Sequence, residues 1–593
     1  MAKRLVACLV TIIFFAGPTI LAQAPPAPPM PPGVEVPEDQ PDLGELGPPM
    51  PPPIPSETRR PRESPPKPPA KEVPKDEEPA PPVEKVAPTP TGPGKNWPMF
   101  KGNPAHTGYT EEQLNFPLKL AWKHLAEMET DNPSSPAVAD GVVYFCSGRR
   151  LYAVNAETGS LKWRYPAEES LTAVVKSSPL VGDELVYFGG GDGRLYAVKK
   201  EDGSPAWTFV TKGIMNSSPV LVDDVVYVGS SDDHLYALDA RTGTSKWPGG
   251  FATRDDVSGS PAVADGLVFF VSNDMVLYAV SAANGKWKWT QRVGSSSRAS
   301  SPVVAEGTVY LATSNVIQAF QSKSGRLRWS LTLPSDVTTV PAAANGAVYL
   351  ACRNGKLYAF TNAGKLKWKE PADIGAPAYG SPVIAGDTVI VGANKGILVA
   401  ADVETSQVKW RYTVMPSTLD YGKLKYVNIA AGPAVSNGVL YALADDGALH
   451  AFQYDVPDNT PPHVSTVVPS RDFLMHGAPP IEIAAVFSDP GSGVKMDSIA
   501  MTLDGEPVAY KLIAERGIVY YKTPVTQPSV PLQNGRHTVA LSLTDWVGNK
   551  TQMEWSFTVD NLMRRRGPTA AAPGTTAPGA PGGTPVEGPM GAY

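Results

Sequence analysis

Between about Ser134 and Tyr454 the chain alternates short apolar runs with clusters of turn residues. One unit, Ser134 to Trp163, reads SSPAVADGVVYFCSGRRLYAVNAETGSLKW. The next, Ser177 to Trp207, reads SSPLVGDELVYFGGGDGRLYAVKKEDGSPAW, and a third runs from Ser217 to Trp247. Runs such as VVYF and LYAV suit strands packed between sheets. Asp140-Gly141, Asp192-Gly193, Asn354-Gly355 and Asp446-Gly447 suit tight hairpins between them. No helical period competes. Each unit therefore predicts four short antiparallel strands.

Later units carry their marker proline at Pro261, Pro302, Pro341, Pro382 and Pro433, and tryptophans recur at Trp163, Trp207, Trp247, Trp289, Trp329, Trp368 and Trp410. The spacing is roughly 41 residues, the length of a propeller blade. Eight proline-marked units face only seven following tryptophans, because the last unit stops at LHAFQYD. An eighth tryptophan strand, LKLAWKH around Trp122, precedes the first unit and can complete the last one. A ring closed this way leaves no open sheet edge between its ends. The expected architecture is all-β: an eight-bladed propeller over 96–456, closed by an N-terminal strand.

The pattern changes after the propeller. IEIAAVF, IAMTLDG, GIVYYK, HTVALSLTD and MEWSFTV are spaced strands within about a hundred residues, which predicts an immunoglobulin-like β-sandwich over 457–561. Composition sets the ends apart. About 26 of the 63 prolines lie between Pro25 and Gly94, so 25–95 is expected to be a disordered spacer, and 562–593, rich in Pro, Gly, Ala and Thr, a disordered tail. Residues 1–24 place Lys3 and Arg4 before an apolar run, as a secretory signal does; an uncleaved leader would instead anchor the chain to a membrane. Either way an extracytoplasmic protein is expected. The formal net charge is −6 and no basic stripe appears, so nucleic acid is not an expected partner.

The repeats resemble the quinoprotein, or PQQ-like, propeller family. The third unit fits its tryptophan-docking pattern at Ala237, Asp239, Thr242, Gly243 and Trp247; the first keeps Ala153, Thr158, Gly159 and Trp163 with Asn155 in place of Asp. The sixth unit is one residue short, and the seventh has Ser406 where Gly is the rule. The segment NWPMFKGNPAHTGYT, Asn96 to Thr110, is similar to the usual lead-in of such propellers, and the C-terminal strands resemble a bacterial immunoglobulin-like domain. Trp122, Trp163, Trp207, Trp247, Trp289, Trp329, Trp368 and Trp410 are accordingly expected to pack blades, since buried aromatics dominate such contacts.

The resemblance also implies chemistry to look for. Dehydrogenases of the family carry a vicinal cysteine pair against the quinone and a Glu, Asn and Asp set for calcium. This chain has Cys8, Cys146 and Cys352 and no vicinal pair, so no cofactor and no catalytic residue are expected. The seven histidines show no zinc spacing. Asp232 to His234 reads as a solvated turn. Asp545 to Asn549, with Asp489 and Asp497, offers oxygens that suit calcium, against the plainer reading of a loop between strands.

Function is then expected on loops. In each blade the connections into the first strand vary, while the first-to-second and third-to-fourth turns are short and uniform; variable loops on a rigid scaffold carry binding. The candidates are Arg254, Asp255, Arg298 and Tyr379, together with Tyr421, Lys423 and Tyr426 in the long connection between Trp410 and Pro433. The resulting expectation is a non-catalytic scaffold with protein partners, similar to the propeller lipoprotein of the outer-membrane barrel-assembly machinery, though without a lipid-attachment cysteine. A quinone-dependent oxidoreductase and a module binding cell-surface polysaccharide are the alternatives.

Overall fold

The computed structural model describes residues 96–127, 134–294, 301–414, 427–525 and 530–563. Residues 1–95, where a leader and a spacer are expected, the residues from 564 onward, and Arg298, Tyr421, Lys423 and Tyr426 lie outside the described residues. The described chain is all-β apart from three single-turn 3-10 helices.

Eight sheets, each built on four antiparallel strands, follow one another from Ala137 to Gln453. The first contains Ala137–Ala139, Val142–Ser147, Arg150–Asn155 and Leu161–Tyr165. Its inner three strands are almost wholly buried because both faces are covered, which is why they read as apolar runs rather than alternations. The first turn places Asp140 at φ +51° and Gly141 at φ +74°, the paired left-handed geometry that matches hairpin twist. The third-to-fourth turn is held by a side chain: Asn155 Oδ1 accepts the amides of Glu157 and Thr158 at 2.9 and 2.8 Å. Asp239 and Asp402 do the same in the third and seventh blades. The replacement of Asp by Asn at 155 is harmless for this reason, since either supplies the acceptor.

The last sheet is completed out of sequence. Lys119–Leu125 pairs antiparallel with Ala448–Gln453, with Trp122 opposite Ala451. The N-terminal strand thus closes the propeller, as the sequence implies. The innermost strands of the first and last blades also neighbour each other. Around the ring the residue before each marker proline links blade to blade. Ser178, Ser218, Ser260, Ser301 and Ser381 each accept, through Oγ, the backbone amide of the corresponding residue one blade earlier, at 2.9–3.0 Å.

The tryptophans dock from one blade onto the turn of the next. A Cβ on Gly159, Gly203, Gly243, Gly285, Gly325 or Gly364 would meet the ring of Trp122, Trp163, Trp207, Trp247, Trp289 or Trp329 at 2.5–2.8 Å. Most of the indoles also donate to the turn they cover: Trp122 to the Ala156 carbonyl at 3.0 Å, Trp163 to Lys200 at 3.1 Å and Trp207 to Ala240 at 3.0 Å. Trp368 donates to Val403 in the turn where Ser406 takes φ +65° in place of glycine. Trp122 therefore closes the ring twice, by strand pairing to the last blade and by docking on the first. Trp410 departs from the pattern. The last blade takes its outer strand from elsewhere in the chain and so has no such turn to cover. The fully buried ring packs instead on Phe116 and Phe452.

Beyond the propeller, two sheets form a sandwich. One is His463–Val468, Glu482–Ser488, Ile518–Lys522 and Lys511–Ile513; the other centres on Gly535–Thr544 and Lys550–Val559. Ile483, Phe487, Val519, Leu541, Trp555 and Phe557 fill the space between them.

Candidate binding face

The segment before the closing strand gives the ring two unlike ends. Residues 97–112 run along the free inner edges of the blades in blade order. Trp97 exchanges backbone hydrogen bonds with Val138, both 2.7 Å. The carbonyls of Pro98, Pro104, Ala105, Thr107 and Gly108 then accept the amides of Val181, Val263, Val304, Ala343 and Ile384 at 2.7–2.9 Å. Tyr109–Thr110 adds to the seventh blade as a short parallel strand, and the Glu112 carboxylate accepts the Gly438 amide in the eighth at 2.8 Å. The amides bonded by those five carbonyls belong to the residue two after each marker proline and would otherwise face the channel unpaired. The strap lies toward the end that carries the first-to-second turns, where Asn96 reaches Asp140.

Two titratable groups of the strap are enclosed. Lys101 is 2% exposed, and its Nζ donates to the Pro382 carbonyl at 2.5 Å. Burial holds its ammonium well below the ordinary lysine range. His106 has no exposed surface and packs edge-on against Phe100. Burial, with a smaller contribution from the Lys101 charge, pushes its imidazole down to about 3.

The opposite end carries the second-to-third turns and the connections between blades. Here a repeated pair stiffens the surface. Tyr196, Tyr236 and Tyr278 donate to Asp192, Asp232 and Asp274, four residues earlier, at 2.6, 2.8 and 2.5 Å. Desolvation, then the neighbouring carboxylate, raises all three phenols above the ordinary tyrosine range. An aromatic from the preceding blade covers each ring: Tyr165, Phe209 and Phe251, at 5.1–5.9 Å between centroids. The same carboxylates fix the incoming loops, since Asp232 accepts the Lys212 amide and Asp274 the Arg254 amide. The expectation that Asp232 is a solvated turn residue is thus corrected: its side chain is only 8% exposed, because Tyr236 and the Lys212 backbone close over it.

Arg254 and Asp255 are exposed on this end, on a loop whose backbone is pinned by Asp274 and by Ser272 donating to the Asp255 carbonyl at 2.8 Å. Tyr379 is half-buried on the connection between the sixth and seventh blades. It shares the face with Arg254 but sits three blades away, so the two do not form one cluster. The sequence reading missed the Asp–Tyr posts, although an Asp four residues before Tyr in three successive blades was visible. Cys146 and Cys352 are separate, free and buried. Burial raises both thiols, Cys352 to about 12, which keeps them protonated.

A family model described as "Outer membrane protein assembly factor BamB" matches residues 119–317 and 276–474, together more than half of the chain. Among curated relatives, the quinohemoprotein alcohol dehydrogenase ADH-IIG of Pseudomonas putida is 31% identical over 19% of this chain and 18% of its own length. The outer membrane protein assembly factor BamB of Yersinia pestis is 26% identical over 27% of this chain and 32% of its own. The chain thus spans less than a third of the length of either. The crystal structure of BamB from Moraxella catarrhalis aligns with 58% of this chain and all of its own at 20% identity and a TM-score of 0.45.

Proposed function

The chain belongs to the family of the outer membrane protein assembly factor BamB, and from that premise we propose that it is a non-catalytic, extracytoplasmic scaffold that binds protein partners through the loop end of its propeller. The observation that carries the reading is the asymmetry of the ring. One end is occupied by the chain's own strap, hydrogen-bonded along the inner edges. The other presents sequence-variable loops on rigid Asp–Tyr posts. Rigid posts lower the entropy lost when loops engage a partner. Arg254, Asp255 and Tyr379 are the described contacts, with Arg298 and the connection holding Tyr421, Lys423 and Tyr426 as further ones. An envelope location, and a role in outer-membrane protein assembly, accord with the family.

The relation to quinohemoprotein dehydrogenases keeps an oxidoreductase as the rival. Against it stand the tryptophans committed to docking and two enclosed, protonated, separate thiols in place of a vicinal pair. Photo-crosslinking separates the readings. A photoreactive residue placed at Arg254 or Tyr379 should give discrete adducts in the native envelope, and one at Gly141 on the strap end should not. Deleting 415–426 with retained melting behaviour should weaken the same adducts. Equal crosslinking from both ends, or quinone- and calcium-dependent dye reduction by the purified chain, overturns the proposal.

A further inference from the structure

A second site is built where the sandwich meets the propeller. Asp458 follows the last blade, Asp489 opens the connection after Glu482–Ser488, and Asp545 follows Gly535–Thr544. These carboxylates, 31 and 56 residues apart in sequence, bring one oxygen each within 4.8 Å of one another. Asp497, which the sequence offers as a further carboxylate beside Asp489 and Asp545, lies in the single-turn helix Met496–Ser498, outside the cluster. The loop carrying Asp489 is wedged against the propeller. Tyr412 donates to the Pro490 carbonyl at 2.9 Å, and Leu120 of the closing strand to the Gly491 carbonyl at 3.2 Å.

Backbone amides orient the carboxylates. Asp545 Oδ1 accepts those of Val547, Gly548 and Asn549 at 2.7–3.0 Å; Asp489 Oδ1 accepts Gly491, and Asp458 Oδ2 accepts Ser492, both at 2.8 Å. None of the ion pairs described for the sandwich residues involves any of the three. Two further polar atoms at this point are sealed from solvent without a hydrogen-bond partner. One is Asp489 Oδ2. The other is Oγ of Ser492, a residue with no exposed surface whose amide bonds the Asp458 carboxylate. The other carboxylate oxygens are shared with hydrogen bonds, Asn549 Nδ2 donating to Asp545 Oδ2 at 2.7 Å and the Thr460 amide to Asp458 Oδ1 at 3.2 Å. One free, enclosed carboxylate oxygen and one free hydroxyl beside two further carboxylates form an all-oxygen donor set that suits a hard cation.

We propose that Asp458, Asp489 and Asp545, with the Ser492 hydroxyl at hand, bind a divalent cation of the calcium class that fastens the sandwich to the closing seam of the propeller. Oxygen-only ligands of unequal reach favour calcium over magnesium, which demands a tighter octahedron. The proposal is independent of what binds the loop end.

The test uses the full chain with terbium and calcium. Indole-sensitised terbium emission, with Trp546 adjoining Asp545, should appear and be displaced by calcium at about 0.1–1 mM, the range of extracellular sites, and more weakly by magnesium. Calcium should raise the melting temperature. Asp489→Asn keeps the Gly491 hydrogen bond and removes a like charge, so in chelator it should melt no lower than wild type. Its calcium affinity should fall at least about tenfold. Asp497→Asn, at an exposed carboxylate outside the cluster, should leave binding unchanged. No calcium-displaceable emission and no melting shift at about 10 mM calcium, or binding lost with Asp497→Asn and kept with Asp489→Asn, overturns the proposal.

Discussion

Replacing Gly203 by alanine isolates the contact that repeats around the ring. Gly203 sits at φ +73° beneath Trp163, and a Cβ there would lie 2.5 Å from Cε3 of the indole. Ordinary carbon contacts are about 3.5–4.0 Å, so the ring must retreat by about 1 Å. Overpacking of that kind costs about 1–3 kcal/mol. The retreat also stretches the bond from Trp163 to the Lys200 carbonyl, worth about 1 kcal/mol. The left-handed backbone adds about 1–2 kcal/mol for any residue with a Cβ. Gly141 supplies the control, since it has φ +74° and a Cβ added there would meet nothing within 4 Å. Gly141→Ala therefore carries the backbone cost alone, less about 0.4–1 kcal/mol from the stiffened unfolded chain. The two variants should differ by about 2–3 kcal/mol, read by calorimetry as about 2–4 °C in Tm for a folded chain of this size. In a Trp163→Ala background the excess cost of Gly203→Ala should vanish, giving a coupling of about 2 kcal/mol in the double-mutant cycle. Equal melting of Gly203→Ala and Gly141→Ala, or additivity in the cycle, would refute tryptophan docking as the bond between blades.

Two further outcomes follow from the lead-in segment. His106 is neutral in the folded ring with its pKa lowered to about 3, whereas the unfolded chain takes up a proton below about 6.5. Its stabilising contribution is complete above pH 6.5 and is lost as pH falls toward 3, by about 1.4 kcal/mol per unit. His106→Gln should flatten the decline of stability between pH 6 and 4 relative to wild type; an unchanged slope would mean that the imidazole protonates freely in place. Trp122→Ala should cost about 3–5 kcal/mol, because it removes the ring that joins last blade to first. Ending the chain at Met563 should leave the melting temperature nearly unchanged, and equal losses for the two would contradict closure by this strand.

The repeat was legible because each blade spends its side chains the same way. Marker proline, apolar strands, side-chain-capped turn and tryptophan recur at one spacing, and even the borrowed strand at Trp122 showed as a tryptophan out of place. The strap was not legible beyond its family resemblance. It bonds the blades through backbone carbonyls, so its side chains follow no period, and Lys101 and His106 read as ordinary polar residues of a loop. Asp232 was misread for a related reason: three polar residues in a row suggest solvent, while the phenol that shelters the carboxylate comes four residues later on the next strand. At the sandwich, Asp489 and Asp545 could be suspected from their glycine-rich surroundings. Asp458 could not, because only the folded junction brings the linker back to them.

The closure and the strap belong to one stretch of chain, and this constrains how the molecule reaches its final state. Lys101 bonds Pro382 across 281 residues, and Glu112 bonds Gly438 across 326. The strap needs the inner edges of at least six blades before its carbonyls find their amides, and Lys119–Leu125 needs the last blade. A segment that leads the propeller in sequence therefore settles only when the ring is nearly complete, at the loop-closure cost such separations carry. Once seated, it ties first, last and intervening blades together from inside. Radial give in any one blade is then opposed by its neighbours through a common strap. The loops at the other end stand on a frame that is fixed from its axis, and variation can accumulate there without loosening the ring.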